Sequence, residues 1–159
     1  MIIAAFAGTG KTTLASLYPQ KVVDFICMPY KYYLDNDKNE VDGEACKANS
    51  DYVLHNDWPY NYVQAIKQNL DNDKILLIPP DIYVLLLLRG EGLPYTICYP
   101  EKEAKEIYRN RFIARGNTEE FIDIFIGGWD RFIDGFENDR YGKHIILEAN
   151  QYLSDVVEV

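Results

Sequence analysis

Histidine, cysteine and positive charge are all scarce in this chain. Its 159 residues include two histidines, three cysteines and 16 lysines and arginines against 25 acidic residues, for a formal net charge of −9. So little positive charge argues against a nucleic-acid polymer as partner, because phosphate backbones are held by clustered Lys and Arg. His55 and His144 stand at no triad or metal-site spacing from a Ser, Cys or carboxylate, so neither is assigned any chemistry. Cys27, Cys46 and Cys98 form neither a C-x-x-C pair nor a disulfide framework, and they suit a reducing cytoplasm, the expected location. Long apolar runs are missing as well. Ile75–Ile78 and Ile82–Leu88 are parted by Pro79-Pro80-Asp81, and each falls far short of the ~20 residues that span a bilayer. Gly8 interrupts the apolar start of the chain, so no signal peptide and no membrane segment is expected.

What is present is the composition of a folded domain. Hydrophobic residues make up 48% of the chain and charged residues 26%, which fits one globular domain over residues 1–159. Ile2–Phe6 reads as a strand ending in Gly8-Thr9-Gly10, and Lys11–Leu17 as a helix stopped before Pro19. Val22–Cys27 reads as a second strand, holding Asp24 among apolar neighbours. Residues 30–58 are a polar, Tyr-rich insertion, with turns expected at Asp35-Asn36-Asp37 and Asp42-Gly43. Tyr62, Ile66 and Leu70, spaced by four, predict a helix from Trp58-Pro59 to about Asn72. Strands follow at Lys74–Ile78, Pro94–Tyr99 and His144–Leu147, with a helix at Ile82–Leu88. Residues 101–138 form a lid-like helical region. Glu101–Arg115 there carries the stripe Ala104, Tyr108, Phe112 and stops at Gly116. Asn117 with Glu120 reads as a capping box for a further helix with Phe121, Phe125, Phe132 and Phe136 as its core stripe, bent or closely approached at Gly127-Gly128. Tyr152–Val159 is open between strand, helix and tail. Strands alternating with helices predict an α/β fold, a three-layer open parallel sheet with helices on both faces.

The chemistry concentrates at residues 5–12. Ala5-Phe6-Ala7-Gly8-Thr9-Gly10-Lys11-Thr12 matches the phosphate-loop pattern G-x-x-x-x-G-K-[ST] except at its first position, where Ala5 replaces glycine. Glycines let backbone N–H groups turn inward around phosphate oxygens, and a helix opening at Lys11 adds the positive end of its dipole. Lys11 can then reach the β- and γ-phosphates of a nucleotide, and Thr12 can offer a hydroxyl to Mg²⁺. ATP and Mg²⁺ are the expected cofactors, with Ala7, Gly8, Thr9, Gly10, Lys11, Thr12 and Thr13 as the binding residues.

In Phe6-Ala7-Gly8-Thr9-Gly10-Lys11-Thr12-Thr13-Leu14 the chain resembles the nucleotide and nucleoside-monophosphate kinase-like P-loop proteins, including small phage and bacterial members. Arg111-Phe112-Ile113-Ala114-Arg115-Gly116-Asn117 is similar to the arginine-bearing lid helix of such kinases. The resemblance implies a phosphotransferase moving the γ-phosphoryl of ATP to a small acceptor, a nucleotide or nucleoside. It makes Lys11, Asp24, Arg111 and Arg115 the candidate catalytic residues. Arg111 and Arg115, four apart, share a helical face on which two guanidinium groups can grip a phosphoryl group, whereas Arg109 points elsewhere. Pairing with Glu101, Glu103 and Glu106 on a solvated face is the other reading of these arginines. Asp24 is open between orienting an acceptor and a structural hydrogen bond. The Tyr-rich cluster Tyr30, Tyr32, Tyr33, Tyr52, Trp58, Tyr60 and Tyr62 is open between stacking on a base and covering the core. No acid directly follows Ile75–Ile78 as a Walker-B residue would, and Asp81 reads as a helix cap. Two alternatives stand beside the kinase: a nucleotide-binding protein without transfer, and a nucleotide-gated interaction module.

Overall fold

Four apolar residues, Ile2–Ala5, make the central strand β1, and all four are buried. A strand covered on both faces has no polar side to show, which is why it reads as a continuous apolar run rather than an alternating one. The same holds for β5 (Ile75–Ile78) and β6 (Thr96–Pro100). The computed structural model describes residues 1–33, 53–70 and 73–159. Within them β2 (Val22–Asp24), β5, β1, β6 and β7 (Lys143–Leu147) form, in that order, a five-stranded sheet with every pairing parallel. A short antiparallel pair, β3 (Tyr32–Tyr33) with β4 (Val53–Leu54), stands apart from it. Among the described residues no helix is long and apolar enough to cross a membrane.

The strand period of two sorts the core onto two faces. Ile3, Ala5, Leu77 and Cys98 meet Leu14 of α1 (Lys11–Leu17) and Leu153 of the short C-terminal helix Leu153–Val156. Ile2, Ala4, Phe6, Leu76, Ile78 and Tyr99 face the other way. That side is covered by α3 (Tyr60–Asn69), α4 (Ile82–Gly90), α5 (Lys105–Ala114), α6 (Glu119–Gly127) and α7 (Trp129–Glu137); α2 is the single turn Met28–Lys31. The expected α/β architecture, a parallel sheet with helices on both faces, is what the chain adopts.

Several local expectations change. The second strand stops at Asp24 rather than Cys27, since the chain turns into α2 with Pro29 in its first turn, where a missing N–H costs nothing. Thr118, not Asn117, caps α6, its hydroxyl accepting from the Phe121 amide at 3.2 Å. Gly127-Gly128 does more than bend one helix: it divides α6 from α7. Asp81 caps α4 as expected, accepting from the Tyr83 amide at 3.0 Å. The phenylalanine stripe belongs to the core. Phe125, Phe132 and Phe136 join Tyr108 and Trp129 around Phe6, at 5.5–6.5 Å between ring centroids. This collar anchors the residue at which the glycine loop leaves β1. The turns expected at 35–37 and 42–43, Tyr52 and Cys46 lie outside the described residues, and the helix expected to reach about Asn72 ends at Asn69, with Leu70 extended.

Candidate functional site

The loop Phe6–Gly10 leaves the carboxyl end of β1 at the point where the sheet changes direction: β1 connects to β2 on one side, and β5 connects across to β6 on the other. Crevices of this kind are where open α/β sheets bind ligands. Gly8 (φ 79°) and Gly10 (φ 92°) both take left-handed backbone conformations. A Cβ at Gly8 would come within 2.9 Å of Phe112 Cε1, so the residue is small both for its torsion and for the aromatic wall beside it. The alanine at the head of the motif is harmless here: Ala5 ends β1 and its methyl is fully buried under α1.

Four carbonyls of the loop already have donors. Phe6 O accepts from Thr9 Oγ1 at 2.8 Å and from Lys11 Nζ at 3.1 Å. Gly8 O accepts from Arg111 Nη1 at 3.4 Å, Thr9 O from the Leu153 amide at 2.9 Å, and Gly10 O from the Leu14 amide at 3.0 Å. A trans peptide carries its C=O and N–H on opposite edges. Thr9 O and Gly10 O, fixed by Leu153 and Leu14, therefore turn the amides of Gly10 and Lys11 the other way, toward the cavity that both residues line, the kind of nest that binds anions. The first turn of α1 extends the nest, because the amides of Lys11, Thr12 and Thr13 have no acceptor within the helix.

The side chains around this nest are chemically mixed. Lys11 Nζ donates to Ala5 O at 2.8 Å as well as to Phe6 O. Burial pushes its pKa down from 10.5 to about 8, partly opposed by Asp24, while Arg115 pushes it further down. Thr12 Oγ1 donates to Asp24 Oδ2 at 2.7 Å, which ties the end of β2 to the start of α1. Ala7, Gly8, Gly10, Lys11, Thr12, Thr13, Arg115, Phe121 and Tyr152 line one cavity of about 320 Å³. Arg115 reaches it because α5 ends in a Schellman turn: Asn117 N bonds Phe112 O, Gly116 N bonds Ile113 O, and Gly116 has φ 74°.

No protein-family model matches the chain, and no curated protein matches it either. The site therefore stands on its geometry.

The structure brings Lys11, Thr12, Asp24 and Arg115 together at the loop. Arg111 lies behind it, its guanidinium between the rings of Tyr108 and Tyr152, at 4.5 and 4.1 Å from their centroids. Arg109 pairs with Glu106 at 3.3 Å, away from the loop. Asp81, besides capping α4, pairs with Lys31 at 3.0 Å. Tyr30 and Trp58 pack on Tyr62, and Tyr62 stacks on Phe25 and donates its hydroxyl to Phe25 O. Sequence reasoning missed Phe121, Tyr152 and the Leu153 amide. Tyr152 carried one signal: it closely follows the carboxyl end of a parallel strand, the end at which these sheets bind ligands.

The donor set fits a magnesium-bound nucleotide. One hydroxyl and one carboxylate, 2.7 Å apart beside the amide nest, suit an ion that keeps several waters and takes most of its other ligands from phosphate. Thr12 would hold the ion directly, with Asp24 reaching it through water.

Proposed function

We propose that this chain is an ATP-binding P-loop protein, and that it is a phosphotransferase moving the γ-phosphoryl group of ATP to a small acceptor such as a nucleotide or nucleoside. The observation that carries the reading is a glycine loop whose carbonyls at Gly8, Thr9 and Gly10 are bonded by Arg111, Leu153 and Leu14, none of which lines the cavity, while Lys11 and Thr12 do line it. Amides preset in this way bind phosphate oxygens without the cost of reorganising at the moment of transfer. Bound magnesium and triphosphate supply charge neutralisation and an in-line leaving group.

The chain's own residues do the rest. Lys11 gives up the carbonyls of Ala5 and Phe6 for the β- and γ-phosphates. Arg115, at the cavity wall, stabilises charge on the phosphoryl group in transfer. Asp24 orients Thr12 and, from the end of β2, the acceptor hydroxyl or phosphate. Phe121 and Tyr152 form the aromatic part of the cavity wall. The acceptor is a small molecule rather than a polymer, given the acidic surface, and the compartment is a reducing cytoplasm in which the buried thiols of Cys27 and Cys98 stay free.

A second reading, nucleotide binding without transfer, is favoured by one feature: Ile75–Ile78 runs into Pro79-Pro80, and Asp81 is occupied as a helix cap and by Lys31. A transfer screen separates the two. Radiolabelled ATP and Mg²⁺ are incubated with nucleosides, nucleoside monophosphates and small metabolites. The kinase reading expects a labelled product from at least one class, whereas ATP binding with no labelled product supports the second reading.

A further inference from the structure

The Arg111 guanidinium makes two sets of contacts, and neither places it in the cavity. It donates to Gly8 O at 3.4 Å and to Ala149 O at 2.8 Å, so it bridges the glycine loop to the segment that follows β7. It also lies between two aromatic rings, the buried Tyr108 beneath the loop and Tyr152 at the cavity wall. A planar cation between two ring faces is held in orientation as well as in place, which an ammonium in the same position would not be. Tyr152 in turn sits against Gly10, where an added Cβ would meet its ring at 3.3 Å, and the next residue, Leu153, holds Thr9 O.

Resting on the nucleotide reading above, we infer that Arg111 is a positioning residue: stacked between Tyr108 and Tyr152, it fixes Gly8 O and the segment Ala149–Leu153 so that the Gly10 amide and those opening α1 point at the phosphates, and it does not touch the transferring group. The peptide geometry gives the mechanism. Arg111 holds Gly8 O and, through Ala149 O and the Tyr152 ring, the segment whose Leu153 amide holds Thr9 O; with Thr9 O held there, the Gly10 amide of the same peptide is turned the other way, toward the cavity that Gly10 lines. Both restraints come from the same clamp, formed by α5 and the segment Ala149–Leu153. The clamp makes phosphate affinity depend on residues that never meet a phosphate. It also divides the labour of the two arginines: Arg115 faces the ligand, and Arg111 faces the backbone that binds it.

The test uses the full chain with Arg111→Met, which keeps an apolar stem and removes every donor, and Arg111→Lys, which keeps the charge and loses the flat fork. Calorimetry gives Kd for MgATP and for inorganic tripolyphosphate, which has no base or sugar. Arg111→Met should weaken both probes alike, by about tenfold or more, the effect of losing a charged hydrogen bond. Arg111→Lys should lie closer to the Met variant than to wild type in affinity. In ligand-free protein, the amide resonances of Thr9 and Gly10 should shift in both variants, and this readout stands even if catalysis is never detected. Unchanged Kd with a large fall in turnover would overturn the inference and place Arg111 on the transferring group. A lowered melting temperature with unchanged Kd and unchanged amide resonances would overturn it too, leaving a merely structural arginine. Failure of the nucleotide reading itself has a different signature: wild-type protein that binds neither probe.

Discussion

Raising the pH should weaken ATP binding well below the range in which an ordinary lysine titrates. Burial brings the Lys11 pKa down from 10.5 to about 8 in the ligand-free protein. Phosphates at its tip favour the charged form, so binding selects the protonated protein and takes up a proton wherever Lys11 is neutral beforehand. With a free-protein pKa of about 8, apparent affinity should fall about tenfold between pH 7 and pH 9, and binding at pH 9 should take up about 0.9 proton per nucleotide. A lysine at its ordinary value would change affinity by only about 3% over the same interval. Calorimetry of MgATP binding in two buffers of different ionisation enthalpy measures both quantities. Stability should respond with the opposite sign. Between about pH 8 and 10.5 the unfolded chain holds more protons than the folded one, so the Lys11 contribution to ligand-free stability rises with pH, by at most about 3 kcal/mol. An affinity flat from pH 7 to 9, with a buffer-independent binding enthalpy, would refute both the depressed lysine and its place against the phosphates.

Two further substitutions probe the same cavity. Asp24→Asn removes the carboxylate that supports the charge on Lys11, so the midpoint of the affinity-versus-pH curve should move below that of wild type; an unmoved midpoint in the same titration would separate Asp24 from the lysine. Gly8→Ala puts a Cβ at a positive φ and 2.9 Å from Phe112 Cε1, and it should cost about 2–4 kcal/mol in a urea melt through strain and overpacking together. A loss below about 0.5 kcal/mol would mean that the loop relaxes freely and that its shape is not set by the aromatic wall.

The parts of the fold that could be read from the sequence are those in which one physical signal dominates. Ile2–Ala5 and Ile75–Ile78 are buried on both faces, and continuous apolar runs flanked by Gly or Pro leave little else for them to be. Ile82–Gly90 is helical as its leucines and its Asp81 cap predict. The misplaced boundaries are all short-range competitions. Asn117 and Thr118 are adjacent candidates for one cap, and the Schellman turn at Gly116 carries the Asn117 amide back to Phe112 O, leaving Thr118 to start the helix. Met28–Lys31 is a single turn, too short to leave a period of 3.6 in the sequence. At the site, motif spacing identifies Gly8, Gly10, Lys11 and Thr12, because the loop is local. The different settings of Arg111 and Arg115 are not local. Their spacing turns both toward the loop, but which of them is covered depends on Ala149 and Tyr152, more than 30 residues further along the chain, and no helical periodicity carries that information.

The central claim is that the amide nest and Lys11 bind a triphosphate, and one calorimetric comparison tests it most directly: MgATP titrated into wild-type protein and into Lys11→Ala at pH 7. The account predicts saturable one-to-one binding to wild type and a loss of about 2 kcal/mol or more in the variant, with the fold retained by circular dichroism. Equal affinity in the two proteins, or no binding to wild type, would contradict it.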